Sequence, residues 1–345
     1  MRTARLEDGE LRIVERPVSE PGYEEAVVRI TAAGVCHSDV HLLKGDWTGV
    51  PRSGPFGHEG VGIVEALGPG ADRYVKVGDR VILGLGGSGG GYWCGACDHC
   101  LGGKPRLCKQ SKGILGTYSE QLKLYAKSLV VLPDSISDNE VPLACGGLTA
   151  YGAVKKLNQY SVVPGSAVAI VGAAGGLGHY AVQIAKHWGY KVVGVDVGPE
   201  RVEFVRSLGA DLAVDAADAD AADQVRRAFP GGVHASLVFS PRLAGFKLGM
   251  DLIRRGGMFV AVGIPADNEG GIELSPWALF GKDPLIMFSA VGTVQDMREL
   301  VQLAADGHVK THVSRTGTLS ELGTILDELE AGAYTGRAVI TDLTR

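Results

Sequence analysis

The feature that most constrains the fold of this chain is an apolar run that leads through a glycine-rich turn into a helical pattern. Residues 167–171 read AVAIV, residues 172–178 read GAAGGLG, and apolar residues then recur at helical spacing as far as Trp188. A strand, a tight turn and a helix in this order bring a helix N-terminus close to a phosphate group. The segment therefore predicts a dinucleotide-binding unit. The turn residues expected at the phosphates are Gly172, Gly175, Gly176, Leu177 and Gly178.

Strand and helix patterns keep alternating after this unit, which is typical of a parallel, doubly wound sheet. The apolar runs expected as strands are 191–195, 212–214, 235–239, 258–262 and 285–288. Residues 1–150 contain short β-branched runs separated by glycine and proline, which favours an antiparallel, barrel-like domain. The spacing of Ser137 and Glu140 predicts a capping box that opens a helix near the end of that region.

Length and charge narrow the class of protein. A chain of 345 residues suits two domains. The net charge of −5 offers no general basic field for nucleic acid, and no run of 18 apolar residues predicts a membrane span. The N-terminus is charged and lacks the apolar stretch of a secretory signal. We therefore expect a cytoplasmic protein with reduced cysteines, without nucleic-acid or membrane partners.

Four cysteines lie within residues 92–110, at Cys94, Cys97, Cys100 and Cys108. Four thiolates at this spacing can surround one tetrahedral zinc ion and leave no position open, which predicts a structural metal site. Redox chemistry by a Cys-x-x-Cys pair and a zinc ribbon for nucleic acid are weaker alternatives.

Two further cysteines, Cys36 and Cys145, accompany His58 in the sequence. Two thiolates and one imidazole are a ligand set of catalytic zinc with an open fourth position, to which water or a substrate oxygen binds. A single buried cysteine or histidine is more often structural, so the prediction depends on the combination.

The segments GHEGVG at residues 57–62 and CHSD at 36–39, together with the four-cysteine segment, resemble the zinc-dependent medium-chain alcohol dehydrogenases. The resemblance extends over essentially the whole chain. It is nearest to the microbial tetrameric, yeast-like type, which also has GAAGGLG and the GDW of residues 45–47. It implies an α/β protein with a GroES-like β-rich catalytic domain (1–150 and 290–345) and a Rossmann NAD-binding domain (151–289).

The resemblance also assigns roles around the catalytic metal. Cys36, His58 and Cys145 would bind one zinc ion, and Glu59 is a carboxylate that can approach it. Asp39 would contact His58 and fix the tautomer of its ring.

A proton relay is implied by the same motifs. Ser38 would accept the alcohol proton, which reaches His41 through a ribose hydroxyl, and His37 would contact the cofactor pyrophosphate. Family members often have threonine at the position of Ser38. Serine keeps the hydroxyl group and leaves slightly more room.

Cofactor choice is predicted by Asp196, which follows the second strand of the unit and lies 18 residues after Gly178. A carboxylate there binds ribose hydroxyls and repels a 2′-phosphate, so NAD is favoured over NADP. Arg201 is expected beside the adenosine ribose, Val262 along the nicotinamide and Arg337 at the pyrophosphate. A helix-capping role for Asp196 and a plain surface position for Arg337 are the alternatives.

The resemblance implies a substrate pocket lined by Trp47 and Leu85, with Ile114 and Tyr118 as weaker candidates. An apolar pocket of this kind suits a small alcohol, aldehyde or ketone. The predicted function is reversible NAD-dependent oxidation of primary or secondary alcohols. The alternatives are a polyol, sugar or specialised carbonyl dehydrogenase of the same fold, and a non-catalytic zinc- and nucleotide-binding protein. Pairing through the strand at 285–288 would give a homodimer or homotetramer.

Overall fold

The computed structural model describes residues 1–84 and 91–345. These residues divide into two compact units, one of residues 1–148 with 291–345 and the other of residues 149–290. Within the described residues, every helix is too short or too polar to cross a lipid bilayer.

The described residues form sixteen strands and ten α-helices. The strands are β1 (Arg2–Glu7), β2 (Glu10–Glu15), β3 (Glu25–Val35), β4 (Gly54–Pro55), β5 (Gly60–Leu67), β6 (Arg80–Leu83), β7 (Gln121–Tyr125), β8 (Val130–Val131), β9 (Ala167–Val171), β10 (Lys191–Asp196), β11 (Leu212–Asp215), β12 (Val233–Val238), β13 (Ile253–Ala261), β14 (Leu285–Phe288), β15 (Val313–Thr318) and β16 (Arg337–Asp342). The helices are α1 (His37–Lys44), α2 (Asp98–Leu101), α3 (Gly146–Gln159), α4 (Gly178–His187), α5 (Pro199–Ser207), α6 (Ala221–Ala228), α7 (Leu243–Leu252), α8 (Pro276–Lys282), α9 (Val294–Ala305) and α10 (Leu322–Glu330).

The first unit contains a sheet in the order β15-β16-β3-β5-β6-β8, with β7 also paired to β3, and a smaller sheet in the order β2-β1-β4. All of these pairs are antiparallel except β15 with β16. The end of β3 therefore lies beside the starts of β5 and β16, with Ala33 opposite Gly60 and Val35 opposite Ala338. This register brings three distant segments of the chain to one edge of the sheet.

The second unit contains a parallel sheet of six strands in the order β11-β10-β9-β12-β13-β14. Numbered from β9, this order is the 3-2-1-4-5-6 of a Rossmann sheet. All five residues of β9 are buried because helices cover a parallel sheet on both faces. The prediction of a doubly wound sheet is confirmed.

The capping box predicted at Ser137 does not form as expected. The Ser137 hydroxyl accepts a hydrogen bond from Asn139 N, but the carboxylate of Glu140 accepts from Thr311 N, at 3.0 Å, and does not return to the start of the helix. Pro142 has no N–H to donate to an α-helical ladder, and Asp138–Ala144 form a 3₁₀ helix. A partner 171 residues away thus replaces the local one.

Candidate active site

A cluster of metal-binding side chains lies at the edge where β3, β5 and β16 meet. Ligand atoms of Cys36, His58, Glu59 and Cys145 all lie within 4.8 Å of one another. Cys36 follows β3 and precedes α1, His58 and Glu59 precede β5, and Cys145 precedes α3. We call these four residues the Cys36 cluster. Cys145 is half-buried and the other three residues are buried.

The carboxylate of Asp39 connects two residues of this cluster. The Oδ1 atom of Asp39 lies 3.1 Å from His58 Nδ1, and its Oδ2 atom accepts a hydrogen bond of 3.1 Å from Cys36 N. The hydroxyl of Tyr118 also lies 2.8 Å from Asp39 Oδ2. Tyr118 is fully buried, so its hydroxyl binds Asp39 and does not line an open pocket. Because His58 Nδ1 faces a carboxylate, its proton resides there and Nε2 keeps a lone pair for a metal.

Glu59 is held by Arg337. The guanidinium of Arg337 donates to Glu59 Oε2 and, at 2.9 Å, to the carbonyl oxygen of Val35. Arg337 is only 2% exposed, so the alternative of a plain surface arginine is wrong. Burial raises the pKa of Glu59 to about 7, although Arg337 opposes this shift. A Cβ at Gly34 would lie 2.0 Å from Glu59 Oε2, so only glycine leaves room for this carboxyl group.

The donor set of the Cys36 cluster fits zinc. Among the described residues, Glu59 Oε1 has no hydrogen-bond partner, which leaves a buried acceptor beside the two thiols and the imidazole. The hydrogen bond from Cys145 is the main cause that lowers the pKa of Cys36 well below its usual value. The thiolate is the form of cysteine that binds a metal, so the cluster is prepared for a cation.

The four cysteines of the 92–110 segment form a second cluster, with their sulfur atoms also within 4.8 Å of one another. Cys94 Sγ lies 3.6 Å from Cys108 Sγ and 3.9 Å from Cys100 Sγ. Hydrogen bonds from Ala96 N and Cys97 N lower the pKa of Cys94 to about 6. All six cysteines of the chain are free of disulfide bonds. Four converging sulfur atoms with a stabilised thiolate fit a tetrahedral zinc site.

The predicted relay residues lie on α1. Ser38 and His37 are half-buried in its first turn, and His41 is 7% exposed. His41 Nδ1 lies 2.7 Å from Asp46 Oδ2, and its ring centroid lies 4.7 Å from that of Trp47 and 5.0 Å from that of His37. Asp46 lies in the GDW segment of residues 45–47, but no sequence pattern assigned it a role. Leu85, the other predicted pocket residue, lies outside the described residues.

In the second unit, the glycine-rich turn connects β9 to α4. Gly172 has a φ angle of +83°, and a Cβ at Gly178 would lie 2.0 Å from the carbonyl oxygen of Gly172. The turn therefore requires glycine at both positions. Leu177 immediately precedes α4, and Gly175 O accepts a hydrogen bond of 3.2 Å from His179 N in the first turn of the helix.

Asp196, at the end of β10, contacts this turn directly. Its Oδ2 accepts from Ala174 N at 2.7 Å, and its Oδ1 accepts from Val197 N at 2.9 Å. Arg201 Nη1 lies 3.7 Å from Asp196 Oδ1. Val262 follows β13 and donates a backbone hydrogen bond of 3.0 Å to Val238 O. The carboxylate thus binds the glycine-rich turn and the residue after β10, with the Arg201 guanidinium beside it.

Comparison with known proteins identifies the family. The model of the alcohol dehydrogenase GroES-like domain matches residues 22–134, and that of the zinc-binding dehydrogenases matches residues 176–306. An alcohol dehydrogenase of Geobacillus stearothermophilus is 40% identical, with 99% of both chains covered. The chain belongs to the zinc-dependent medium-chain alcohol dehydrogenases. The GroES-like and Rossmann domains expected from the motifs are thereby confirmed.

Solved structures agree with this membership. The alcohol dehydrogenase of the archaeon Aeropyrum pernix has a TM-score of 0.88 at 33% identity. The alignment covers 99% of this chain and 100% of the archaeal chain. An NAD-dependent alcohol dehydrogenase has a TM-score of 0.88 at 26% identity, and covers 99% of both chains. The alternative of a polyol or sugar dehydrogenase is not favoured by these relatives.

Proposed function

We propose that this dehydrogenase oxidises primary or secondary alcohols to aldehydes or ketones, reversibly, with NAD as the second substrate. The observation that carries the proposal is the buried convergence of Cys36, His58 and Cys145, which is the donor set of a catalytic zinc site. The relatives named for alcohols and for NAD support the choice of substrate and cofactor.

Cys36, His58 and Cys145 would hold the catalytic zinc, and Glu59 would approach it while ligands exchange. When bound, zinc supplies a Lewis acid that makes an alcohol more acidic, and NAD supplies the hydride acceptor. Ser38 would accept the proton of the alcohol at its hydroxyl oxygen and release its own hydroxyl proton, and His41 would pass a proton on to solvent. The carboxylate of Asp46, at 2.7 Å, holds a proton on His41 Nδ1, so that Nε2 is the atom that accepts.

The second unit would bind NAD. The proposed domain bounds, 151–289 for this unit and 1–150 with 290–345 for the first, differ by one or two residues from the compact units of the structure. Gly172, Gly175, Gly176, Leu177 and Gly178 give backbone access to the pyrophosphate. Asp196 would bind the adenosine ribose hydroxyls and repel a 2′-phosphate, with Arg201 beside it. His37 and Arg337 remain proposed pyrophosphate contacts, and Val262 a nicotinamide contact.

The first unit, assigned to residues 1–150 and 290–345, would carry the chemistry and a second, structural zinc ion at Cys94, Cys97, Cys100 and Cys108. Trp47 and Leu85 remain the proposed pocket residues. The sulfur contacts of the four cysteines support the structural ion, because every ligand position is supplied by protein.

Assembly into a homodimer or homotetramer is supported by the edge of the second sheet. β14 is the last strand of its sheet, and Phe288 is 76% exposed on it. On α8, Trp277 and Phe280 are 82% and 79% exposed. An unpaired edge strand beside large exposed apolar side chains favours pairing with a second copy of the chain. Free thiols in both clusters support a cytoplasmic location.

The test is the reduction of NAD by the purified protein with matched primary, secondary and benzylic alcohols, and with NADP as the control cofactor. We expect turnover with NAD, and its loss in Cys36→Ala with NAD binding retained. Absence of turnover in protein with about two zinc ions per chain, the number that two such sites require, would contradict the proposal. Unchanged turnover in Cys36→Ala would contradict the zinc assignment.

A further inference from the structure

We infer that Tyr118 is a positioning residue for the catalytic zinc site and that it acts through Asp39. The inference deepens the proposed function and rests on it. Tyr118 lies at least 27 residues in the sequence from every proposed ligand of the catalytic zinc, and its hydroxyl nevertheless reaches the carboxylate that orients two of them.

The place of the Tyr118 hydroxyl is defined by its surroundings. The residue is 0% exposed, and its ring packs against Phe56 with a centroid distance of 5.5 Å. Its carbonyl oxygen accepts a hydrogen bond of 2.7 Å from Ala4 N in β1. The hydroxyl lies 2.8 Å from Asp39 Oδ2 and 2.9 Å from the carbonyl oxygen of Gly34. A side chain held at both ends presents its donor at a constant position.

The Tyr118 hydroxyl affects the zinc site through its contact with Asp39. Its carboxylate is 0% exposed, and a buried charge requires hydrogen-bond donors to replace water. His58 Nδ1 supplies one at Oδ1, and Cys36 N and the Tyr118 hydroxyl supply two at Oδ2. The first two donors belong to proposed zinc ligands. Tyr118 is therefore the donor that connects the carboxylate to the rest of the fold.

Other roles for Tyr118 do not agree with its surroundings. Full burial keeps it from contact with a substrate. Burial and the nearby Asp39 carboxylate raise the pKa of Tyr118 well above its usual value, so the hydroxyl keeps its proton and remains a donor. A partner that fixes a ligand indirectly typically changes metal affinity by about 10- to 100-fold when it is removed.

The decisive variant is Tyr118→Phe, which removes the hydroxyl and keeps the ring. Tyr190→Phe is the matched control, since Tyr190 is 1% exposed and its hydroxyl donates to Val162 O, at 2.8 Å, in the second unit. Zinc affinity of each full-length protein is measured by competition with a chelator, and the catalytic site is followed by the visible spectrum of the Co²⁺ form. In Tyr118→Phe we expect about 10- to 100-fold weaker metal affinity at one site and an altered Co²⁺ spectrum. The four-cysteine site and the Tyr190→Phe protein should match the wild type.

Two further measurements separate this inference from the proposed function and from simple misfolding. Asp39→Asn and the double variant should have similar zinc affinities, because Tyr118 acts through Asp39. An affinity of Tyr118→Phe within about twofold of the wild type, or fully additive losses in the double variant, would overturn the inference. A wild-type chain whose Co²⁺ form shows no metal at the Cys36 cluster would instead contradict the proposed function. Melting of the metal-free proteins shows whether each variant is folded.

Discussion

The Nδ1 atom of His41 lies 2.7 Å from the Oδ2 atom of Asp46. Both residues belong to one short segment, because Asp46 follows the end of α1 and its backbone N–H donates to His41 O at 3.0 Å. The carboxylate thereby selects the tautomer of the imidazole, with the proton on Nδ1 and a free lone pair on Nε2. In the proposed mechanism Nε2 is the atom that receives the proton.

Replacement of Asp46 by asparagine should therefore slow proton transfer. A hydrogen bond to a charged group contributes about 1.5–3 kcal/mol, so we expect Asp46→Asn to lower kcat by roughly 10- to 100-fold. KM for the alcohol should change much less. Glu330→Gln is the control, because Glu330 of α10 forms an exposed ion pair with Lys44 at the end of α1, the helix that contains His41. Equal kcat values for the two variants would disprove a role for Asp46.

The hydroxyl of Ser38 is tested by a pair of substitutions. Ser38→Ala removes the proton acceptor and should lower kcat by about 10²- to 10⁴-fold, whereas Ser38→Thr keeps the hydroxyl and should retain most of kcat. The added methyl group of threonine should reduce kcat/KM for bulky secondary alcohols more than for primary ones. Steady-state kinetics across both alcohol classes measures each effect. A large loss in Ser38→Thr with primary alcohols would contradict the relay.

The four-cysteine site should contribute to stability and not to turnover chemistry. Cys100→Ser removes one of four sulfur ligands, so zinc content should fall from about two ions per chain to about one. The melting temperature should fall by several degrees, because the energy of structural zinc binding is part of the folding energy. Leu101→Ser, at an adjacent side chain that is 75% exposed, should leave both quantities unchanged. Elemental analysis and thermal melting provide the measurements, and retention of both zinc ions in Cys100→Ser would contradict the assignment.

Asp196 should determine cofactor choice. Asp196→Asn removes the charge that repels a 2′-phosphate and weakens the contact with Ala174 N, so KM for NAD should rise by roughly tenfold while use of NADP improves. Asp215→Asn is the matched control, since Asp215 ends the neighbouring strand β11 and accepts a hydrogen bond of 3.0 Å from Gly198 N. The ratio of kcat/KM for the two cofactors should be unchanged in that control. An unchanged ratio in Asp196→Asn would show that another residue selects NAD.

Asp211 gives the second unit a pH-dependent contribution to stability. Burial opposes ionisation, but hydrogen bonds from Lys186 Nζ and Val192 N, both of 2.7 Å, outweigh it and lower the pKa of Asp211. A lowered pKa in the folded state means that the stabilisation is present above the unfolded pKa, about 3.9, and is lost as the pH falls.

We therefore expect Asp211→Asn to be less stable than the wild type at pH 7, by no more than about 1 kcal/mol because the pair is partly exposed. The difference should shrink as the pH falls below about 4. Urea unfolding at pH 7 and below pH 4 measures the difference in the free energy of unfolding. Asp72→Asn, which removes an exposed carboxylate, is the reference. A difference that does not depend on pH would contradict the assigned charge effect.

Local patterns predicted most of the second unit. β9 and β14 match the expected 167–171 and 285–288. β9 is a continuous apolar run because it is buried in the parallel sheet, whereas β14 is an apolar run at the exposed edge of that sheet. In the first unit, the helix predicted after Ser137 is present as the 3₁₀ helix Asp138–Ala144, but the distant contact of Glu140 with Thr311 left no local signal.

The cysteine spacing predicted the four-cysteine cluster, and the resemblance to the family implied the Cys36 cluster, but neither indicated which residues support them. Arg337 and Glu59 are 278 residues apart, and Tyr118 and Asp39 are 79 apart. Only the register of the sheet brings such pairs together. Asp46 differs, because an acidic residue five positions after a relay histidine was visible in the sequence.

The position of β16 beside β3 determines when the Cys36 cluster is completed during synthesis. Its cysteines, histidine and glutamate are made at least 192 residues before Arg337, which holds Glu59. At about 5–20 residues per second, that interval lasts tens of seconds. A nascent chain therefore carries its metal-binding thiols well before the last strand encloses them. The metal-binding thiols are therefore available before the first unit can close, and the whole second unit is synthesised between these two stages.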